Sequence, residues 1–127
     1  MIVNEPGTHA EVTAAFQRYE QALMDNDLEG LDALFWQSER TVRYGVGENL
    51  YGIEAIRAFR RRRIGGSPPR VLRQTIITTY GTDFATANTE FLRAGSALVG
   101  RQSQAWARMP DGWRIVSAHV STMAGYD

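Results

Sequence analysis

Apolar residues in the first part of the chain recur at the spacing of an α-helix. Four of them lie three or four positions apart: Val12, Phe16, Tyr19 and Leu23. This spacing is typical of the buried face of an amphipathic helix and predicts a first helix over residues 9–25. The helix is expected to bury this face against the rest of the fold.

Two further helices are predicted before a segment rich in Gly and Pro. Residues 25–27, Asp-Asn-Asp, end the first helix and cap a short second one. The apolar face of the second helix consists of Leu28, Leu31, Leu34 and Phe35. A third helix is predicted from Gly52, and the Gly-Gly-Ser-Pro-Pro sequence at residues 65–69 ends it.

The second half of the chain has the composition of β-strands. Runs rich in β-branched and aromatic residues, separated by turn-forming residues, predict four strands. These strands span residues 71–80, 84–93, 98–108 and 113–121. A shorter run at residues 40–45 precedes the third helix and predicts an additional strand.

The last predicted strand changes character along one face. Strict alternation places five residues on that face: Trp113, Ile115, Ser117, His119 and Ser121. The face therefore begins apolar and ends polar. A strand with this pattern is predicted to run from the core into a cavity, which makes His119 a candidate for the cavity wall.

The element order α-α-β-α-β-β-β-β predicts an α+β fold. Helices that precede an antiparallel meander are expected to cover one face of a curved sheet. A length of 127 residues fits a single domain, residues 1–127. Because several strands are partly apolar on both faces, the uncovered face is predicted to be buried in a homodimer or a higher homo-oligomer.

Composition narrows the classes of function. The chain has 14 basic and 14 acidic residues, so its net charge does not favour nucleic acid or an anionic membrane. It has no cysteine, which excludes thiolate chemistry. The N-terminus lacks a signal-peptide pattern, and no apolar run is long enough to span a bilayer, which predicts a cytoplasmic protein. The two histidines show no metal-ligand spacing and no Gly-rich nucleotide motif occurs, so neither a metal nor another cofactor is predicted.

Four segments together resemble a known family. They are ALMDNDLEGLDALFW, TVRYGVGENLYGIEAIRAFR, TTYGTDFATANTEF and GRQSQAWARMPDGWRIVSAHVS. Through them the chain resembles the AtzH/HpxZ-type proteins, in the SnoaL-like branch of the NTF2-like superfamily, over residues 9–123. The resemblance implies a cone-shaped fold, in which a strongly bent sheet wraps a long helix and leaves a pocket open at one end.

The resemblance also implies a reaction. Proteins of this type are linked with amidases in cyanuric-acid and oxalurate (purine-derived) nitrogen catabolism. The reaction proposed for them converts 1,3-dicarboxyurea, a small anionic urea derivative, to allophanate, and is a decarboxylating amidohydrolysis. Matched to this sequence, the catalytic pair is Tyr19, in FQRYEQAL, and Arg43, in TVRYG.

The chemistry of these two residue types suits a small anionic substrate. The planar guanidinium of Arg43 can bind a carboxylate through two parallel hydrogen bonds. A tyrosine hydroxyl is protonated at neutral pH, so Tyr19 can donate a proton or stabilise a developing oxyanion. Structural alternatives stay open for both: Arg43 lies on the surface or pairs with Glu90, and Tyr19 packs in the core.

Four other residues are candidate substrate contacts. Trp36 either forms a wall of the pocket or packs in the core. Gln104 can bond a urea group through both ends of its amide. Ser103 lies on the opposite face of the same strand, and the sequence leaves open which of the two faces points inwards. His119 is the fourth candidate.

Charge clusters suggest further alternatives. The basic run Arg60–Arg63 is predicted to be a solvated helix end rather than an anion site. An isomerase or cyclase would need a carboxylate base in an apolar cavity, and the candidates are Glu20, Glu48 and Glu90. The main alternative to the hydrolase is a non-catalytic protein that binds a metabolite or assists a partner amidase.

Overall fold

The computed structural model of the chain describes residues 1–63 and 65–125. The helices within these residues are α1 (Pro6–Met24), α2 (Leu28–Ala33) and α3 (Ile53–Arg62). The strands are β1 (Val42–Tyr44), β2 (Asn49–Tyr51), β3 (Val71–Tyr80), β4 (Phe84–Leu92), β5 (Leu98–Met109) and β6 (Gly112–Ala124). The α+β class predicted from the element order is confirmed.

The strands form a curved, unclosed sheet in the order β2-β1-β6-β5-β4-β3. Neighbouring strands are antiparallel, except that β1 runs parallel to β6. The helix α1 packs against one face of this sheet. We call that face the inner face and the opposite one the outer face.

The start of the first helix and one short strand are the main differences from the predicted elements. The first helix begins at Pro6 rather than at residue 9, because the Glu5 carboxylate caps it by accepting a hydrogen bond from the Thr8 backbone N–H at 2.7 Å. The strand Asn49–Tyr51 was not predicted. Its three residues are too few for an alternating pattern to be recognised.

A β-bulge in β6 reverses the alternation in the second half of that strand. The pairing register with β5 shifts between Ile115 and Ser117, which leaves Val116 as an extra residue. Because successive side chains point to opposite faces, one extra residue moves every later side chain to the other face. Ala118 is therefore buried on the inner face, and His119 is exposed on the outer face. The predicted position of His119 on the cavity side is wrong.

The core lies between the helices and the inner face of the sheet. Its largest fully buried side chains include Trp106, Phe35, Phe91, Leu31, Ile56 and Ile115. Burial of a large apolar side chain contributes roughly 1.5–3 kcal/mol. This packing fixes α1 against the sheet and so determines which α1 side chains lie close to β1.

A buried ion pair occupies part of the helix end that was predicted to be solvated. Arg60 Nη1 donates to Asp32 Oδ1 at 2.7 Å, and neither side chain is more than 5% exposed. The Arg60 guanidinium also lies 4.7 Å from the centroid of the Phe35 ring. The prediction of a solvated helix end is therefore wrong for Arg60, because α3 packs this residue against a carboxylate of α2.

Gly100 on β5 leaves room for the ring of Phe91. A Cβ atom at position 100 would lie 2.1 Å from atoms of that ring, and Phe91 is almost fully buried. Gly100→Ala is therefore expected to lower the free energy of unfolding by about 1–3 kcal/mol, as measured by denaturant titration. Gly47→Ala is the control, since a Cβ atom there would meet nothing within 4 Å. Equal stability of the two variants would contradict this packing.

Candidate functional site

Arg43 lies in the middle of β1 and points to the inner face. Its register partner on β6 is Ala118, whose partner on β5 is Gln104. Directly opposite residues point to the same face, so the three side chains form a row. Since neighbouring strands are about 4.8 Å apart and alanine is small, Arg43 and Gln104 face each other over Ala118.

Arg43 is half-buried, and its guanidinium is incompletely partnered. Its Nη1 atom has no hydrogen-bond partner and is shielded from water, and no described residue forms an ion pair with it. Glu90, the alternative partner, accepts a hydrogen bond from Arg73 at 2.9 Å. The Arg43 guanidinium lies over the Phe59 ring, 5.6 Å from the ring centroid.

The electrostatic surroundings of Arg43 favour a bound anion. Burial lowers the pKa of the Arg43 guanidinium, because desolvation penalises the charged form. The Tyr19 phenol and the Glu48 carboxylate raise the pKa, whereas the neighbouring cations Arg60 and Arg63 lower it. A negative charge at this position would offset both the desolvation and the repulsion between cations.

Tyr19 reaches this region from α1. Its side chain is only 4% exposed, and its ring centroid lies 6.2 Å from that of Phe35. The hydroxyl makes no hydrogen bond to any described residue. Among side chains, Tyr19 exerts the largest charge effect on the pKa of Arg43. The structure therefore brings together the two predicted catalytic residues, one from α1 and one from β1.

Gln102 and Gln104 point inwards from β5, and each has an unpartnered amide nitrogen. Gln104 Oε1 accepts a hydrogen bond from Trp106 Nε1, and Gln102 Oε1 accepts one from Arg70 Nη2, each at 3.0 Å. Because indole and guanidinium nitrogens only donate, these bonds fix the orientation of both amides. The Nε2 atom of each amide is left buried and unpartnered. Gln104 therefore has a free donor at Nε2, whereas its Oε1 atom already accepts one hydrogen bond.

Arg63 shares the ring of Phe59 with Arg43. Its guanidinium lies 5.8 Å from the ring centroid, and its Nε atom is buried without a partner. Burial lowers the pKa of Arg63, and the neighbouring Arg60 lowers it further. We call Arg43 and Arg63 the Phe59 pair.

Arg70 and Arg93 form a similar pair on Phe91. Their guanidinium groups lie 4.5 and 4.8 Å from the centroid of that ring. Arg70 is bonded to the Glu20 carboxylate through Nε, at 3.2 Å, and through Nη2. Arg93 has no ion pair with a described residue, and its Nε atom is buried and unpartnered. We call Arg70 and Arg93 the Phe91 pair.

Alternation in the sequence indicates that both arginines of the Phe91 pair face inwards. The alternation of β4, continued one residue past the end of the strand, places Arg93 on the same side as the buried residues Ala87 and Phe91. Likewise, Arg70 directly precedes β3 and has the same parity as Leu72 of that strand, which packs against the core. An arginine that continues a buried alternation is a candidate inward-facing cation.

The unpartnered buried atoms of this region are all donors, as far as the described residues show. They are Arg43 Nη1, Arg63 Nε, Arg93 Nε, Gln102 Nε2 and Gln104 Nε2. Each buried donor that lacks an acceptor costs roughly 1–3 kcal/mol, and more when it is charged. A small ligand with several oxygen acceptors and negative charge would satisfy them. We call these five residues the donor cluster.

Three predicted contact residues lie outside the donor cluster. Ser103 is exposed on the outer face, where its hydroxyl donates to Asn88 Oδ1 at 2.6 Å. His119, on the same face, packs edge-on against Tyr44, with ring centroids 5.6 Å apart. Trp36 is half-buried after α2, and its backbone N–H bonds to β6 at 2.9 Å. The inward face of β5 is thus the one that carries Gln104 rather than Ser103.

Side chains that commonly bind metal ions do not gather in the described chain. Among residues 1–63 and 65–125, no three His, Cys, Asp or Glu side chains are placed to hold an ion. In the same residues, no helix is both long and apolar enough to cross a membrane. The donor cluster is the feature whose unsatisfied chemistry calls for a ligand.

A comparison with family models decides the relationship of the chain. The model of the AtzH-like family matches residues 1–125. The chain belongs to the AtzH-like family. The match covers the whole donor cluster and Tyr19, and it confirms the resemblance found over residues 9–123. No curated protein matches this AtzH-like chain.

Solved structures show the fold of this AtzH-like chain in related proteins. A protein of unknown function of the DUF3225 family from Pectobacterium atrosepticum is 61% identical, with 96% of this chain and 95% of that chain covered and a TM-score of 0.94. A cystatin-like fold protein from Burkholderia xenovorans is 53% identical, with 99% of each chain covered and a TM-score of 0.95. An NTF2-like superfamily protein from Salmonella enterica is 26% identical, with coverages of 95% and 93% and a TM-score of 0.71. The predicted NTF2-like fold is confirmed.

Proposed function

We propose that this AtzH-like chain is a hydrolase of nitrogen catabolism that converts 1,3-dicarboxyurea to allophanate without a cofactor. The observation that carries the proposal is the proximity of Tyr19 to Arg43, a half-buried arginine that forms no ion pair with a described residue and whose Nη1 atom is buried and unpartnered. The guanidinium offers a forked site for a carboxylate, and the phenol offers a proton. A molecule with a carboxylate next to a nitrogen that must gain a proton matches this pair.

The proposed reaction begins with binding of one terminal carboxylate of 1,3-dicarboxyurea by Arg43. The bond between this carboxyl carbon and the adjacent urea nitrogen breaks, and its electron pair goes to the nitrogen. Tyr19 donates a proton to that nitrogen and is reprotonated by water. The hydroxide left by this water combines with the released carbon dioxide to give bicarbonate. The net reaction consumes one water, and allophanate keeps the other carboxylate.

Burial of the site supports this chemistry. Fixed donors act more strongly on a developing charge where water is excluded than they do in bulk solvent. Gln104 Nε2 is such a donor, since it is buried, unpartnered and in the same row as Arg43. In this proposal it donates to the urea carbonyl oxygen of the bound substrate.

The isomerase alternative has less support. Its carboxylate base would need an apolar environment. Glu20 and Glu90 instead accept hydrogen bonds from arginines. Glu48 lies close enough to Arg43 to raise the pKa of that guanidinium, so its surroundings are cationic.

Incubation of the purified protein with freshly prepared 1,3-dicarboxyurea tests the proposed activity. We expect allophanate and bicarbonate to form faster than in buffer alone, at a rate proportional to enzyme concentration, as followed by NMR of labelled substrate. Decay at the spontaneous rate would refute the substrate assignment. Binding without turnover, together with co-purification of an amidase, would support the non-catalytic accessory protein instead.

Assembly, location and partners stay predictions. The outer face of the sheet exposes the large side chains of Tyr51 and Ile76, which agrees with burial of that face in a homodimer or a higher homo-oligomer. The cytoplasmic location and the functional link to an amidase depend on the sequence and the family resemblance.

A further inference from the structure

We infer that Arg93 and Gln102, placed beside Phe91, form a second anion subsite, which makes the donor cluster selective for dianions over monoanions. The inference rests on the proposed function in one respect, since it assigns to this subsite the carboxylate that the product keeps. The Phe59 pair and Tyr19 would then hold the reacting end of the substrate, and the second subsite would hold the other end.

The Phe91 pair contains one neutralised cation and one free cation. Two nitrogens of Arg70, Nε and Nη2, donate to the Glu20 carboxylate, so the charge of Arg70 is already balanced. Arg93 stacks on the same ring at 4.8 Å and has no ion pair with a described residue. Burial lowers the pKa of Arg93, and the repulsion from Arg70 adds to this effect. The free cation of the pair is therefore Arg93.

Gln102 supplies a neutral donor next to this pair. Its side chain is one of the most deeply buried polar groups, with 3% of the residue exposed. Its Oε1 atom accepts from Arg70 Nη2 at 3.0 Å, and its Nε2 atom has no partner. Because Arg70 is itself held by Glu20, the orientation of the amide is fixed by a short chain of hydrogen bonds. The free N–H groups of Gln102 can bond only an acceptor.

The two subsites are close enough to share one small ligand. Gln102 and Gln104 lie two residues apart on the same face of β5, a separation of about 7 Å along the strand. The cation Arg93 contributes to lowering the pKa of Arg63, so the Phe91 pair and the Phe59 pair influence each other electrostatically. In the proposed binding mode Gln104 bonds the urea carbonyl in the middle of the substrate and Gln102 bonds the carboxylate beyond it, which matches a dicarboxylate whose ends are joined by three atoms, as they are in 1,3-dicarboxyurea.

The charges also favour a dianion. Three arginines of the cluster have no ion pair with any described residue: Arg43, Arg63 and Arg93. A monoanion that binds at the Phe59 pair leaves Arg93 and the Gln102 amide unsatisfied. A dianion of the right length satisfies both ends, and its two charges are opposed by three cations.

Binding of two stable probes tests the subsite independently of catalysis. Glutarate has two carboxylates joined by three carbons, and valerate has the same number of carbons with a single carboxylate. Because a charge-assisted hydrogen-bonded contact is at stake, we expect the wild-type protein to bind glutarate about 10- to 100-fold more tightly than valerate, as measured by calorimetry. Equal affinity for the two probes would overturn the inference.

Substitution of Arg93 identifies the residue responsible. In Arg93→Gln, we expect the preference for glutarate to fall to within about threefold, while the affinity for valerate stays unchanged. Arg101→Gln is the matched control, because Arg101 is exposed on the outer face of β5, and it should keep the full preference. Gln102→Leu is a second variant, expected to reduce the preference, and circular dichroism checks that each variant is folded. A folded Arg93→Gln protein that keeps the wild-type preference would overturn the assignment.

The outcomes separate this inference from the proposed activity. A preference for glutarate that depends on Arg93, without turnover of 1,3-dicarboxyurea, would support the subsite and refute the hydrolase. Turnover with a KM that is the same in Arg93→Gln and in the wild type would support the hydrolase and refute the subsite.

Discussion

Tyr19→Phe is expected to lower kcat for 1,3-dicarboxyurea by about 100- to 10,000-fold, the range typical of a lost general acid. The substitution removes only the hydroxyl, so the packing of the ring near Phe35 is kept. Since the carboxylate contacts are made by arginines, KM should change little. Steady-state kinetics, with product formation followed by NMR, measures both constants.

Tyr44→Phe is the matched control for this variant. The Tyr44 hydroxyl bonds the Tyr51 hydroxyl at 3.2 Å on the outer face, so its loss should leave kcat close to the wild-type value. The double variant with Arg43→Lys tests whether the two residues act as a unit, in which case it should be little slower than the worse single variant. A Tyr19→Phe enzyme with wild-type kcat would show that the proton comes from another group.

Asp32→Asn is expected to lower the free energy of unfolding by about 3–5 kcal/mol, the usual effect of removing one partner from a buried ion pair. The asparagine keeps the volume of the side chain but leaves the Arg60 guanidinium buried and uncompensated, since neither residue is more than 5% exposed. A second cation, Arg61, also bonds this carboxylate at 2.8 Å. Denaturant titration with a shared m-value provides the measurement.

Asp83→Asn provides the comparison for this effect. Asp83 forms an ion pair with Arg108 at 3.3 Å, but its side chain is 76% exposed, and exposed pairs contribute little. If Asp32→Asn were as stable as Asp83→Asn, the link between α2 and α3 would not depend on the buried charge. That result would also remove the main reason for the burial of Arg60.

The long elements could be predicted because their patterns repeat over many residues. The apolar stripe of α1 and the strand-forming composition of β3 to β6 each cover nine residues or more, so a local irregularity such as the bulge in β6 does not hide the element. The strand Asn49–Tyr51 is too short for this. The proposed catalytic pair, Tyr19 and Arg43, followed from the family resemblance, and the sequence alone left core and surface roles open for both.

The orientation of several side chains could not be predicted from local pattern. Val116 is β-branched like Ile115 before it and suits a strand, so nothing in the sequence marks it as an insertion that turns the rest of β6. The burial of Arg60 depends on Asp32, which is 28 positions away in the chain. Trp106 Nε1 already donates a hydrogen bond to Gln104 Oε1. Alternation alone does not show which atoms of an amide are occupied in this way.

The bulge at Val116 also determines whether a titratable side chain faces the donor cluster. Without this extra residue, the imidazole of His119 would point to the inner face in place of the methyl group of Ala118. Histidine is the side chain whose charge ordinarily changes between pH 5 and 8, whereas guanidinium groups stay charged throughout that range. One inserted residue therefore keeps a proton-sensitive group out of the donor cluster, so the anion binding proposed for the cluster is not expected to depend on the charge of a histidine between pH 5 and 8.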